Sequence, residues 1–222
     1  MTQTSIPLYE AMSTLRAVRR LREDPVPDDV LQRVLQAAAW APSGGNTQPW
    51  RIVVVRDPEV RRQVGDLYRP QWDKFGANYR KNLERMEGEA KAKQARILDA
   101  GDYLGENMGK APVLLVVCFN PALMAITDAK LDRPSVVRGG SVYPAVENLM
   151  LACVNEGLGC TLTTLLCLEE AAMKRVLNIP DDWHTCAVLP IGYPQGKGHG
   201  PISRRPVESL CYADSFGSKF SV

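Results

Sequence analysis

The chain has 222 residues, of which 45% are hydrophobic and 23% are charged, as in an ordinary globular protein. No linker, repeat or low-complexity block divides it, so we expect a single domain over residues 1–222. The formal net charge of +2 gives no reason to expect nucleic acid or an anionic membrane as a partner. The longest apolar run, residues 113–119, has the length of a strand and is too short to span a bilayer.

Targeting and metal-binding signals are weak. The amino-terminal segment lacks the apolar centre of a secretory signal peptide, so the expected location is the cytoplasm. The six cysteines form no C-x-x-C pair and are expected to be small buried thiols in a reducing compartment. The two histidines, His184 and His199, do not lie at metal-ligand spacing from another histidine or a cysteine. We therefore predict no metal site.

Apolar spacing and turn residues predict helices interleaved with a few strands. The second helix is expected to be capped by Asp28. The helices are predicted at residues 6–21, 29–41, 58–68, 81–96, 142–156 and 169–177. The strands are predicted at residues 51–55, 113–119 and 185–192, the first of them buried. These elements predict an α+β or three-layer α/β class, with a sheet of few strands and helices on both faces.

The loop at residues 42–50 is the most unusual stretch of the chain. Pro42 and Pro49 fix φ and lack an N–H, so they give the loop a rigid frame. Gly44 and Gly45 let a ligand approach the backbone closely. Four neighbouring side chains can donate and accept hydrogen bonds: Ser43, Asn46, Thr47 and Gln48. Because a plain turn needs few such groups together, the pattern indicates a loop that holds a flat, polar-edged cofactor.

Arginines near the two ends of the chain form a second candidate site. Arg16, Arg19 and Arg20 fall in the last turns of the first predicted helix, where a solvated cationic face is the alternative interpretation. Arg204 and Arg205 lie in the carboxyl-terminal tail. If the fold brings the two groups together, they form a forked anion site suited to phosphate.

A glycine-rich turn at residues 157–164 offers further backbone N–H donors. A phosphate at one end and a planar heterocycle at the other describe a mononucleotide cofactor such as FMN. The dinucleotide fingerprint is incomplete, because Gly157-Leu158-Gly159 has no third glycine at position 162. Neither the P-loop pattern nor G-x-S-x-G occurs, and a Ser-His-Asp hydrolase is weakly supported.

Four motifs in a fixed order resemble those of the FMN-dependent nitroreductase family. The most specific, Pro-Ser-x-x-Asn-x-Gln-Pro-Trp, is complete from Pro42 to Trp50. The family's Arg-Arg-Ser-x-Arg-x-Phe is matched by residues 15–21, with Leu15 in place of the first arginine and Ala17 in place of the serine. The remaining matches are Asn148-Leu149-Met150-Leu151-Ala152 with Gly157-Leu158-Gly159, and Arg204-Arg205-Pro206.

This resemblance implies the three-layer fold of that family, with a central, mainly antiparallel sheet flanked by helices in an intertwined homodimer. It also implies two FMN sites, each built from both chains. The residues that it implies as FMN ligands are Arg16, Ala17, Arg19, Pro42, Ser43, Gly44, Asn46, Gln48, Leu162, Thr163, Thr164, Arg204 and Arg205.

The resemblance also assigns roles to these residues. Arg16 and Arg19 contact the phosphate and the ring oxygens, and the tail arginines close the phosphate end. Residues 42–48 reach the flavin from the other subunit. The backbone at residues 162–164, with Thr163 and Thr164, faces the flavin N5, where an N–H stabilises the reduced ring. No side chain is implied as an acid or a base.

The implied activity is a ping-pong hydride transfer, in which NAD(P)H reduces the FMN and leaves before a second small molecule is reduced. That second substrate is a nitroaromatic, a quinone or a similar electron-poor compound. Other interpretations stay open: a specialised relative (a reductive dehalogenase, an enoate reductase or a flavin-cleaving enzyme), a flavin-binding protein without turnover, or a dimeric scaffold. Residues 69–140 match no motif, so the sequence leaves the substrate and the choice between NADH and NADPH open.

Overall fold

A four-stranded sheet with the strand order β1-β2-β4-β3 lies at the centre of the computed structural model, which describes residues 5–220. Every strand pair in it is antiparallel, as predicted. The strands are β1 (Trp50–Val55), β2 (Val113–Phe119), β3 (Gly159–Cys160) and β4 (His184–Gly192). The short strand β3 was not among the three predicted strands, because two residues carry no readable alternation.

Six α-helices surround the sheet within the described part of the chain. Their bounds are α1 (Leu8–Thr14), α2 (Asp28–Ala39), α3 (Pro58–Glu84), α4 (Gly88–Asn107), α5 (Tyr143–Asn155) and α6 (Glu170–Leu177). Over residues 5–220, no helix combines the length and the apolar character that crossing a membrane requires.

The sheet is buried on both faces, and β2 shows this most clearly. Leu115 and Val117 pack into a cluster with side chains of α2 and α5. Leu114 and Val116 point to the opposite face and pack against α3, α4 and α6. Because successive side chains of a strand alternate between faces, one fully apolar strand serves two cores. The three-layer α+β fold predicted above is therefore confirmed.

The first helix is much shorter than the predicted span of residues 6–21. It ends at Thr14, and the chain continues as an extended arm, residues 15–22. The Val18 N–H donates to the Cys160 carbonyl at 2.8 Å, and Leu21 forms a bridge with Pro194. This pairing buries Val18 and Leu21 beside the sheet. The apolar spacing that predicted one helix over residues 6–21 therefore arises from a short helix and from the paired arm that follows it.

Two predictions about helix ends were wrong. Asp28 is the first residue of α2 and does not cap it; the N-cap position is Pro27, and no side chain makes a cap hydrogen bond there. The span predicted as one helix at residues 81–96 contains the end of α3 and the start of α4.

Two further predictions needed correction. Strand β1 is half exposed rather than buried, because it lies at the sheet edge and pairs only with β2. Helix α3 does not stop at residue 68 but continues through Pro70 to Glu84. The continuation is stabilised by Tyr68 and Trp72, which are buried between α3 and the rest of the fold. Such packing outweighs the hydrogen bond that a proline removes from a helix interior.

Candidate functional site

A cavity of about 440 Å³ lies where the extended arm meets the sheet edge and the carboxyl-terminal tail. Its volume is within the range usual for small-molecule sites. It brings together five of the residues predicted from the sequence, from three separate segments of the chain. These are Arg16, Ala17, Arg19, Leu162 and Arg204.

Arg19 is the least ordinary residue of this cavity. Its guanidinium is partly buried, and no carboxylate within residues 5–220 forms an ion pair with it. Burial lowers its pKa, because a desolvated cation is disfavoured, and the nearby phenol of Tyr68 only partly offsets this. A partly buried, uncompensated charge is costly, so the site favours a ligand that brings acceptor oxygens to Arg19.

Arg16 and Arg204 also line the cavity, and both are exposed. Arg16 donates through Nε and Nη2 to the Gly198 carbonyl, at 2.9 and 2.7 Å. Arg204 donates to the Ser203 carbonyl at 2.9 Å. Neither interaction neutralises a guanidinium, so both side chains bring positive charge to the cavity. Arg205 follows directly in the chain and is also exposed.

The segment after Leu162 is held by the sheet and by helix α3. The Thr163 N–H donates to the Val188 carbonyl at 3.0 Å, and the Thr163 carbonyl accepts from Val188 at 2.9 Å. The backbone of Thr163 is therefore already paired, whereas Thr164 beside it is exposed. Tyr68 is buried close to Thr163 and Arg19; burial raises the pKa of Tyr68, and the proximity of these two groups opposes the rise.

The loop at residues 42–50 has the strained geometry that binding loops often show. Asn46 and Gln48 have φ values of 55° and 47°, in the left-handed region that side chains other than glycine rarely adopt. The Ser43 hydroxyl accepts a hydrogen bond from the Gln48 N–H at 3.0 Å. The Ser141 hydroxyl accepts one from the Gly44 N–H at 3.0 Å and fixes the loop to the segment before α5. The polar residues of the loop are nevertheless largely exposed.

Within one protomer, the loop and the cavity are separate. None of the predicted ligands Pro42, Ser43, Gly44, Asn46 and Gln48 is among the residues that line the cavity over the described range 5–220. One chain thus presents two partial sites: an arginine-lined cavity and an exposed polar loop.

Sequence reasoning missed several residues of the cavity. Glu147 of α5 puts a carboxylate among the arginines, and Ile202 of the tail closes one side. His199 and Tyr68 are not among the lining residues, but His199 accepts the Arg16 N–H and Tyr68 lies close to Thr163 and Arg19. The glycine-rich run around His199, directly before the tail arginines, was a readable signal for a special turn. No sequence signal pointed to Tyr68, which lies in a segment predicted as a plain polar helix.

Comparison with known proteins identifies relatives along nearly the whole chain. A sequence model described as the Nitroreductase family matches residues 14–193. Iodotyrosine deiodinase 1 of Rattus norvegicus is 29% identical over 206 residues, which are 92% of this chain and 68% of that protein. An NADH dehydrogenase of Thermus thermophilus is 29% identical over 224 residues, which cover 94% of this chain and 98% of that protein.

Solved structures agree with this result. An iodotyrosine deiodinase bound to FMN and 3-iodo-L-tyrosine superposes with a TM-score of 0.65 at 26% identity, covering 90% of this chain and 96% of that chain. The FMN- and NADPH-dependent nitroreductase NfnB of Sphigopyxis sp. strain HMH shares the fold, with a TM-score of 0.66 at 22% identity over 95% of this chain and 100% of that chain. Because the family model spans most of the residues that build the fold, this protein belongs to the nitroreductase family.

Proposed function

We propose that the protein is an FMN-dependent oxidoreductase that takes electrons from NAD(P)H and reduces an electron-poor small molecule such as a nitroaromatic or a quinone. Membership of the nitroreductase family supports a flavin oxidoreductase. The observation that carries the proposal is Arg19, a partly buried guanidinium without a carboxylate partner among residues 5–220, in a cavity that also holds Arg16 and Arg204.

The residues present fit FMN in charge, since three arginines and one carboxylate, Glu147, line a cavity of about 440 Å³. The phosphate of FMN suits Arg16 and Arg204, two exposed guanidinium groups that already have fixed neighbours. The carbonyl oxygens of the ring suit Arg19, because they provide the acceptors that this side chain lacks within the described chain. The fit uses only groups that the fold already brings together.

The chain's own residues then have distinct tasks. Arg16, Arg204 and Arg205 bind the phosphate, and Arg19 binds the polar edge of the ring. The exposed N–H of Thr164 is the donor for N5, because the N–H of Thr163 is already bonded to Val188. When bound, FMN supplies the two-electron chemistry, and the protein holds and orients it. Neither of the two histidines is needed as an acid or a base.

We also propose that two copies of the chain form the complete site. Pro42, Ser43, Gly44, Asn46 and Gln48 lie apart from the cavity in one protomer, on a loop whose polar groups face outward. A second chain can bring this loop to the first chain's cavity. Helix α5, which is apolar, and the exposed apolar residues of α1 offer an interface for such a dimer.

A second candidate activity is reductive dehalogenation of an aromatic substrate. It is favoured by the iodotyrosine deiodinases among the relatives, which are 26% to 29% identical to this chain over 92% to 95% of its length. It uses the same proposed flavin site, so the two candidates differ in the oxidising substrate alone.

The test is the visible absorption spectrum of the purified protein, recorded before and after anaerobic addition of NADPH or NADH. We expect a yellow protein whose flavin band is bleached by at least one of the two nucleotides. The reduced protein is then mixed with a nitroaromatic, a quinone or an iodinated phenol, and the rate at which the band returns ranks the substrates. A colourless protein that does not take up added FMN contradicts the proposal. A yellow protein that neither nucleotide reduces leaves FMN binding intact and contradicts the proposed reductant.

A further inference from the structure

A turn in the carboxyl-terminal tail, Gly198 to Gly200, holds the arm at Arg16, one of the arginines that line the cavity. The Gly198 carbonyl accepts two hydrogen bonds from the Arg16 guanidinium, at 2.9 and 2.7 Å. The Gly200 N–H donates to the Thr14 carbonyl at 2.9 Å. Gly198 has a φ of 67°, a conformation suited to glycine. A Cβ added to Gly200 would lie 3.6 Å from the guanidinium carbon of Arg16.

His199 extends this contact into the body of the protein. Its Nδ1 accepts the backbone N–H of Arg16 at 3.4 Å, and its Nε2 lies 2.8 Å from the Leu158 carbonyl. An acceptor at Nδ1 and a donor at Nε2 describe the neutral imidazole with the proton on Nε2. The ring therefore joins the backbone of Arg16 to the glycine turn that precedes β3.

The same part of the arm lacks two polar groups of the family signature. Leu15 stands where the family has an arginine, and Ala17 stands where it has a serine. Arg16 is thus the one cationic side chain that residues 15–17 offer to a phosphate. A free arginine loses side-chain entropy when a ligand fixes it. Because the turn already fixes Arg16, phosphate binding costs less side-chain entropy.

We propose that His199 is a positioning residue for the cofactor phosphate: through the turn at residues 198–200 it holds Arg16 in place, and so compensates for Leu15 and Ala17. The inference rests on the proposed function, since it assumes that the cavity binds FMN. It assigns no chemical step to His199. The ring acts at the arm and the glycine turn, where it meets Arg16 and Leu158 and lies beside the Cys160 thiol.

Riboflavin, which lacks the phosphate, separates this role from a general effect on folding. The purified full-length protein is dialysed to equilibrium against FMN or riboflavin, and bound flavin is measured by absorbance. His199→Ala should weaken FMN binding about tenfold, the range for one charge-assisted hydrogen bond, and change riboflavin binding by less than about twofold. Gln can replace both hydrogen bonds of the imidazole, so His199→Gln should recover most of the FMN affinity.

His184→Ala is the matched control. His184 is the chain's other histidine; it lies at the start of β4, where it contacts Glu170 and Phe119. This variant should bind both flavins as the wild type does. The inference is overturned if His199→Ala keeps wild-type FMN affinity, or if it loses FMN and riboflavin affinity equally. A wild-type protein that binds neither flavin contradicts the proposed function itself.

Discussion

Arg19 is the residue on which the candidate site depends most. Sequence reasoning placed it near the end of a helix, where a charge is easily solvated. It lies instead on an extended arm, where Val18 is buried beside it and the phenol of Tyr68 lies close by. No carboxylate in the described chain pairs with its charge, and a ligand that contacts Arg19 would explain why the charge lies there.

Replacing Arg19 by alanine should weaken FMN binding by about tenfold to a hundredfold, because the ring would lose a partly desolvated charge-assisted hydrogen bond. The measurement is equilibrium dialysis of the purified variant against FMN. Arg20→Ala is the control: Arg20 pairs with Asp99 at 2.9 Å and lies over the Tyr103 ring, both outside the cavity. If the two variants bind FMN equally well, Arg19 is not a flavin ligand.

At the scale of elements, the long helices α3 and α4 pack through one large side chain and two glycines. The Trp72 ring lies against α4, and its Nε1 donates to Asp102 at 2.7 Å. A Cβ on Gly101 would lie 2.1 Å from the Trp72 ring, and one on Gly105 would lie 2.9 Å from it. The two glycines thus leave the space in which the indole packs.

Gly101→Ala should destabilise the protein by about 1–3 kcal/mol, because the added methyl overlaps a buried ring that has little room to move. Urea unfolding followed by circular dichroism measures the change. Gly196→Ala is the control, since a Cβ at that position meets nothing within 4 Å. Equal unfolding midpoints for the two variants would show that Trp72 can be displaced without cost.

The loop between β2 and α5 is organised by one buried carboxylate, Asp128. It accepts hydrogen bonds from the Ser135 hydroxyl, the Val136 N–H and the Arg133 guanidinium. These contacts lower its pKa to about 2. An aspartate in the unfolded chain has a pKa of about 4, so the unfolded state takes up the proton before the folded state as the pH falls. The contribution of ionised Asp128 to the free energy of unfolding is therefore fully present above that pH and is lost as the pH falls to about 2.

Asp128→Asn should therefore lower the urea midpoint at pH 7, and the difference from the wild type should shrink at about pH 3, where the wild type is losing the same stabilisation. The exposed Asp132 in the same loop provides the control, and Asp132→Asn should leave the midpoint unchanged at both pH values. A difference for Asp128→Asn that is constant across this range would mean that ionisation of the carboxyl does not stabilise the loop.

At the scale of the whole molecule, the exposed apolar side chains are the surface on which the proposed second chain would pack. Leu8 and Tyr9 of α1 are 61% and 83% exposed, and Trp40 at the end of α2 is 74% exposed. Leu8 and Trp40 line one groove with residues of α5. A monomer would leave these side chains in water, whereas a second copy of the chain would cover them.

Trp40→Ser should accordingly shift the protein from dimer to monomer in sedimentation velocity. It should also release FMN, because a site that needs two chains is incomplete in a monomer. A wild-type protein that sediments as a monomer and still retains FMN would contradict the two-chain site.

The strongest patterns in the sequence predicted most of the fold. The uninterrupted apolar run at residues 113–119 was predicted as a strand with the correct bounds, because a strand buried on both faces is apolar at every position. The arm at residues 15–22 was mistaken for helix, because its apolar spacing arises from pairing with β3 and with the residues that follow β4. Tertiary contacts of this kind leave no local signature in the sequence.

The candidate site could be predicted in part. The motif arginines Arg16, Arg19 and Arg204 line one cavity with Leu162, and their role as flavin ligands stays a prediction. The glycine-rich run signalled a turn at His199 but not its contacts, and nothing signalled Tyr68, because these contacts depend on which distant groups the side chains meet. Whether the loop at residues 42–50 completes the cavity of another chain is a matter of assembly, which one protomer does not contain.

The most direct test of the account is a mixed dimer that carries Arg19→Ala in one chain and Asn46→Ala in the other, isolated with two affinity tags. If each site combines the cavity of one chain with the loop of its partner, one site in the mixed dimer is intact and the other carries both changes. The account predicts one FMN per mixed dimer and little FMN in either homodimeric variant. A mixed dimer as empty as its parents would mean that each site lies within a single chain, and would contradict it.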